Sequence, residues 1–213
     1  MALTLHGYRP SVYTRAARLA LTEKGVAYDQ AEVNPFAPDP AAGYLALHPF
    51  NRVPTLVHDG FVLYETGAIT RYVDRAFAGP ALQPADPRAL ARMDQIIGIV
   101  DAYVYWPLVR QVYVHAVAMR RRDQTGDPKE VQSGLAAAAK VLAALEALLD
   151  TQADQQVFLV GPALSLADLH LVSMMAYFVE ATEGAAMFAQ YPKLQKWFTT
   201  LSTRPSFVAT DPR

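Results

Sequence analysis

Residues 52–69, Arg-Val-Pro-Thr-Leu-Val-His-Asp-Gly-Phe-Val-Leu-Tyr-Glu-Thr-Gly-Ala-Ile, leave the chain few folds to choose from, because this one stretch spells two strands, a turn and a helix start. Pro54 opens a short apolar run, and Asp59-Gly60 is a strong two-residue hairpin signal between that run and the next. Two antiparallel strands with a helix directly behind them are predicted. Val53 precedes a proline and is therefore extended, and a proline at the mouth of a strand is a common place for a cis bond. That geometry would turn the N–H and C=O of Val53 outward, where an extended peptide can pair with them as one more strand. Thr66 stands at the expected helix N-cap, ahead of Ala68, Ile69, Tyr72 and Val73, so its hydroxyl and the unpaired N–H groups behind it offer a carboxylate site. Glu65, just outside, is placed to hold an amine. A ligand with an α-amino-acid head and an extended peptide body fits both halves. A plain hairpin followed by a capped helix, with Glu65 solvated, is the alternative reading of the same residues.

Upstream, Leu3–His6 reads as a strand, residues 12–24 as a helix ended by Gly25, and residues 26–33 as a second strand. The Pro- and Ala-rich residues 34–51 are expected to form a loop with a short irregular helix around Gly43 to Leu47. With the hairpin and the helix behind it, the order is β-α-β-α-β-β-α, the order a thioredoxin-like domain requires, and a helical pattern then runs to the end. The predicted organisation is a first domain over residues 1–78, a linker over 79–86 and an all-helical domain over 87–213. Asp86-Pro87 is an N-cap followed by a proline at the first helical position, opening a pattern that continues to about Arg122 with a bend expected near Pro107. Asp127-Pro-Lys-Glu130 reads as a capping box before an apolar face of Val141, Leu142, Leu145, Leu148 and Leu149. Ser165-Leu-Ala-Asp168 is a third cap, ahead of an almost continuously apolar helix, and is read as structural.

Composition narrows the function classes. With 213 residues, 52% hydrophobic content and a net charge of −1, the chain reads as a soluble globular protein with no electrostatic case for nucleic acid. No apolar run is read as long enough to span a membrane, and the N-terminus lacks a secretory pattern, so a cytoplasmic location is expected. The sequence contains no cysteine, which excludes disulfides, thiolate metal ligands and any thiol mechanism carried by the protein itself. Thiol chemistry, if present, must use a ligand's sulfur. The five histidines show no ligand spacing, and no metal site is expected.

Val53-Pro54, the hairpin, Glu65-Thr66 and Ala68-Ile69 resemble the second half of the thioredoxin-like domain of glutathione transferases, whose usual form is Gln-Val-Pro with Glu-Ser before the helix. Arg52 stands here for the glutamine and Thr66 for the serine. Ser165-Leu-Ala-Asp168 and Tyr191-Pro-Lys-Leu-Gln-Lys-Trp-Phe, with Arg204-Pro-Ser206, are similar to the helical part of the same family. On these motifs the chain is identified as a member of the cytosolic glutathione transferases, with the look of a bacterial, serine-type member carrying a phi-like N-terminal motif. The resemblance implies an α/β thioredoxin-like N-terminal domain plus an all-α C-terminal domain. It also implies glutathione as co-substrate, held by Arg52, Val53, Pro54, Glu65 and Thr66, and a small hydrophobic electrophile as acceptor.

Such chemistry needs a thiol activator. A free thiol has a pKa near 8.5, and lowering it by about two units, roughly 2.7 kcal/mol, makes the thiolate the major form. Ser11 falls at the expected N-cap of the first helix, where hydroxyl and helix dipole act together, and it matches the family's Ser-x-x-Thr-Arg pattern. Tyr8 and Tyr13 are rivals, since tyrosine-type members place a phenol near the end of the first strand. Tyr105, Trp106 and Val109, on an aromatic stripe with Tyr103 and Tyr113, are candidate walls of the acceptor pocket together with Tyr13; core packing is the alternative. Phe50 resembles the aromatic key of many family homodimers. Two further readings stay open: a glutathione-dependent peroxidase or isomerase using the same site, and a non-catalytic scaffold of the same fold. Arg52 and the lack of a basic residue around Ala41 to Gly43 favour the scaffold, while the retained Ser11, Val53, Pro54, Glu65 and Thr66 argue against it.

Overall fold

Strand β1, Leu3–Gly7, alternates buried and half-buried residues, so Leu3 and Leu5 point into a core while Thr4 and His6 do not. The computed structural model describes residues 2–37, 43–150 and 157–212. Helix α1, Val12–Glu23, buries Val12, Ala16, Leu19 and Ala20. It ends as predicted at Gly25, whose N–H reaches Thr22 O (3.0 Å) while Val26 N–H reaches Leu21 O (2.9 Å), a paired closure of the last turn. Strand β2, Asp29–Glu32, pairs in parallel with β1 and is shorter than the expected 26–33. A short helix α2, Tyr44–Leu47, follows; part of the predicted 34–51 loop, residues 38–42, lies outside the described residues. Strands β3, Thr55–His58, and β4, Phe61–Tyr64, form the expected hairpin, with Asp59 at φ 47° and Gly60 at φ 87°, the signs a type I′ turn demands. Helix α3, Thr66–Ala76, turns Ile69 and Val73 into the core. The sheet order is β2-β1-β3-β4, with β3 antiparallel to both neighbours, a thioredoxin-like arrangement.

Two compact units divide the chain, Met1–Gln83 with Pro205–Arg213, and Pro84–Arg204. This differs from the sequence reading at two places. The first half of the predicted 79–86 linker is pinned to the first unit. Lys24 Nζ donates to Asp74 Oδ1 (3.1 Å) and Pro80 O (3.0 Å), and Asp74 also accepts from Leu82 N–H (2.8 Å) and Gln83 Nε2 (2.9 Å). The second difference is the final helix α9, Pro205–Ala209, which belongs to the first unit and not to a helical domain running to residue 213. Arg15 donates to Phe207 O (2.9 Å), which also accepts from Thr210 Oγ1 (3.3 Å), and Arg18 donates to Thr210 O (3.1 Å), so α1 supplies donors for carbonyls in and just beyond the short helix.

In the second unit, Asp86 caps α4, Pro87–Ile99, accepting from Arg88 N–H (3.1 Å) and Ala89 N–H (2.9 Å). The helix then continues as a wider π-wound segment, Val100–Ala118, and closes in a short 3-10 turn, Arg120–Arg122. Pro107, where a bend is predicted, lies within that winding; it has no N–H to give, and a change of winding is one way a helix accommodates such a residue. Helix α5, Pro128–Asp150, receives only half of its predicted capping box. Asp127 accepts from Lys129 N–H (2.8 Å), but its own N–H donates to His115 Nδ1 (3.0 Å), and Glu130 accepts from Gln111 instead (3.0 Å). By length and composition residues 128–149 suffice to cross a membrane, which corrects the sequence reading. Their buried stripe, Gly134, Ala138, Leu142 and Leu145, is that of a helix packed on protein along one side.

Helix α6, Leu166–Phe178, is buried almost throughout, followed by α7, Thr182–Phe188, and α8, Pro192–Ser202. Asp168, in its first turn, has no exposed surface. Its carboxylate accepts from Ser165 N–H (2.8 Å), Ser165 Oγ (2.7 Å), Leu159 N–H (2.8 Å) and Trp197 Nε1 (2.8 Å). Burial pushes this carboxyl's pKa up, and the four donors oppose that rise.

Candidate functional site

The strand register gathers the predicted residues at one end of the sheet. His6 of β1 stands opposite Thr55 of β3, and Thr55 opposite Tyr64 of β4. One step beyond that row come Gly7, Pro54 and Glu65, on strands about 4.8 Å apart. Gly7 leads through Tyr8 to Ser11, Pro54 carries Val53 and Arg52, and Glu65 leads into α3.

Ser11 is the N-cap of α1, as predicted: its φ of −71° and ψ of 126° are extended, and its Oγ accepts from Thr14 N–H (3.3 Å). The cap uses an oxygen lone pair and leaves the hydroxyl proton to donate elsewhere. Ser11 N–H is fixed on Tyr8 O (2.8 Å). Behind it, a Cβ on Gly7 would stand 2.4 Å from Thr14 Cγ2, so only glycine lets β1 and the first turn of α1 approach this closely. Tyr8 is half-buried, with its ring meeting Phe36 edge-on at 6.0 Å, and Tyr13 is half-buried on α1.

The Val53–Pro54 bond is cis. Val53 is half-buried and Pro54 buried, and Arg52 is exposed. A residue that sequence reasoning missed steadies this edge: Tyr44, 3% exposed, donates its hydroxyl to Arg52 O (2.6 Å). With that proton committed, the 2.9 Å contact to Thr55 Oγ1 is one in which Thr55 donates. Burial raises the Tyr44 pKa, and the Thr55 hydrogen bond lowers it in part. No sequence signal marks Tyr44, because it sits in a four-residue helix and bonds to a residue eight positions away.

At the start of α3 the cap is displaced by one residue from the prediction. Glu65 is the N-cap and Thr66 the first helical residue, with Glu65 O accepting from Ile69 N–H (2.9 Å). Glu65 holds φ 71° and ψ 117° and makes no side-chain cap bond. L-residues seldom adopt positive φ, and such positions concentrate at ligand sites. Thr66 is 7% exposed and Glu65 exposed, so a carboxylate seated on the N–H groups of Thr66, Gly67 and Ala68 would have an acidic side chain at its margin. His48 packs beneath, its ring 4.7 Å from that of Tyr64, and burial lowers its pKa. Phe50 is 66% exposed and meets His48 and Tyr64 edge-on.

The proposed acceptor-pocket residues of the second unit do not share one environment. Trp106 is 60% and Tyr103 63% exposed, Tyr105 is half-buried and Val109 is buried at 6%. Tyr113 is stacked on Tyr177 at 4.1 Å and belongs to that unit's packing.

Two family models cover most of the chain: glutathione S-transferase, N-terminal domain, over residues 5–81, and glutathione S-transferase, C-terminal domain, over residues 104–205. Glutathione S-transferase 1 of Zea mays is 31% identical, the match covering 91% of this chain and 87% of that protein. The glutathione-bound theta class glutathione S-transferase of Xanthomonas axonopodis pv. citri is 29% identical with a TM-score of 0.81, covering 98% of this chain and 96% of that one. Elongation factor 1-gamma of Carassius auratus is 27% identical over 91% of this chain and 40% of that protein. The fold, with its thioredoxin-like sheet and helical unit, is that of a two-part transferase. The chain belongs to the glutathione S-transferase family.

Proposed function

We propose that the chain is a serine-type transferase that conjugates glutathione to small hydrophobic electrophiles. The observation that carries this reading is the Ser11 hydroxyl, fixed at the N-terminus of α1 with its proton unspent among the described residues, at the same end of the sheet as Val53-Pro54 and Glu65-Thr66. The Val53 N–H and C=O pair with the cysteinyl backbone of glutathione, and Thr66 with the α3 N-terminus takes the γ-glutamyl carboxylate. Glu65 takes the ammonium group. Ser11 donates to the sulfur and stabilises the thiolate, whose proton leaves to solvent. The thiolate then forms a bond to an electrophilic carbon, and the leaving group departs with the electron pair. Positioning and pKa depression supply the rate, with no covalent bond to the protein. Tyr105 and Trp106 line the acceptor pocket, and the protein works as a cytoplasmic homodimer with Phe50 at its interface.

Ultraviolet titration of glutathione bound to the wild type and to Ser11→Ala tests the reading. The bound thiol is expected to titrate about one unit or more below free glutathione in the wild type, and near the free value in S11A. An S11A variant that keeps the depressed value moves the role to Tyr8 or Tyr13. The likeness to elongation factor 1-gamma favours a second reading, a scaffold that keeps the fold without thiol activation. Glutathione that fails to bind, or binds with an unshifted thiol, selects it.

A further inference from the structure

Arg15 and Arg18 of α1 are 3% and 7% exposed, and both reach carbonyls at the far end of the chain. Arg15 does more than donate to Phe207 O: its guanidinium lies 4.0 Å over the centre of the Phe207 ring, in a site where water does not screen the attraction. Its backbone N–H donates to Ser11 O at 2.9 Å, the bond that closes the first turn of α1. One residue thus joins the turn bearing Ser11 to helix α9. Ser206 adds a third tie, its hydroxyl bonding Glu23 at the other end of α1. Arg18 lies nearly two turns beyond Ser11, and its tie to Thr210 O (3.1 Å) holds the same tail without touching that first turn.

Helix ends fray, and a hydroxyl that must meet a sulfur at hydrogen-bond distance tolerates little wandering. We propose that Phe207 and Arg15 are positioning residues for Ser11: the C-terminal helix clamps the first turn of α1 and so sets the aim of the hydroxyl. The inference rests on Ser11 as thiol activator. It assigns the tail a part in catalysis that acts through another residue.

The test compares Phe207→Leu, which keeps the carbonyl and removes the ring, with Arg15→Met and Arg18→Met, using the pKa of the bound glutathione thiol and urea midpoints. F207L and R15M are expected to raise the bound thiol's pKa by about half a unit or more and to lower kcat/KM several-fold, up to about tenfold. R18M is expected to lower the urea midpoint yet leave that pKa at the wild-type value. Should R15M fail to fold, F207L alone carries the comparison with R18M. Wild-type thiol pKa values in both F207L and R15M, or an equal rise in R18M, would reduce the tail to a stability element and overturn the proposal. S11A with an undisturbed thiol pKa overturns the reading of Ser11 itself, a result the tail variants cannot mimic.

Discussion

Gly7 and Thr14 share a contact with no slack. Thr14 Oγ1 is buried and makes no hydrogen bond among the described residues, so what this side chain contributes is shape. Gly7→Ala is expected to cost about 1–3 kcal/mol through the clash with Thr14. Thr14→Ala in the same chain should recover part of that loss, with a coupling of about 1 kcal/mol. Urea midpoints of the two single variants and the double variant measure it; additive losses would mean that the strand moves to make room. His48 offers a second residue-scale outcome. It is 2% exposed, burial lowers its pKa, the Arg52 charge lowers it further and the Glu65 charge raises it. A histidine that folds into a site favouring its neutral form stabilises the protein in full above its ordinary value of 6.5. That contribution declines as pH falls through 6.5 toward the lowered value of the folded state. His6 shifts the same way by burial. Urea unfolding at pH values on either side of 6.5 should therefore show wild type weakening toward acid, and His48→Asn weakening less; equal slopes would discharge His48 from this role.

Among the elements, α6 has the most concentrated polar anchor. Asp168 satisfies an indole from α8, a peptide N–H from Leu159 and both donors of Ser165. Trp197→Phe removes one donor and is expected to cost about 1–2 kcal/mol. Asp168→Asn, which turns an NH2 toward neighbours that are themselves donors, should cost more, about 3–5 kcal/mol. Thermal unfolding followed by glutathione binding to the surviving folded fraction checks both: stability should fall while affinity holds. The capping motif of this helix was legible in the sequence because its partners lie three residues apart. Ser11 was legible for the same reason. The Asp127 box misled, since its N–H found His115 on the π-wound segment, a partner no local motif contains. Thr66 was misplaced by one position because side-chain preference does not report the positive φ of Glu65 that makes Glu65 the cap. Tyr44 and the Arg15–Phe207 contact, 192 residues apart, were invisible, since neither leaves a periodic trace.

At the scale of the whole molecule, the exposed Phe50 carries the expectation of a homodimer. Phe50→Ala should shift sedimentation-equilibrium mass toward the monomer, with dimer dissociation strengthened about tenfold or more, as removal of an aromatic anchor generally does. A mass unchanged at every concentration would take Phe50 out of the interface. The division of the chain into units has a further consequence, which concerns the order of synthesis. Phe207 and Thr210 leave the ribosome after the entire helical unit has been made, yet they belong to the unit that was begun first. Domains generally fold in the order in which they emerge. Here the first unit stays open until residues 205–210 have been made: Arg15 and Arg18 wait for the carbonyls of Phe207 and Thr210, and a chain released short of them has completed its second unit but not its first.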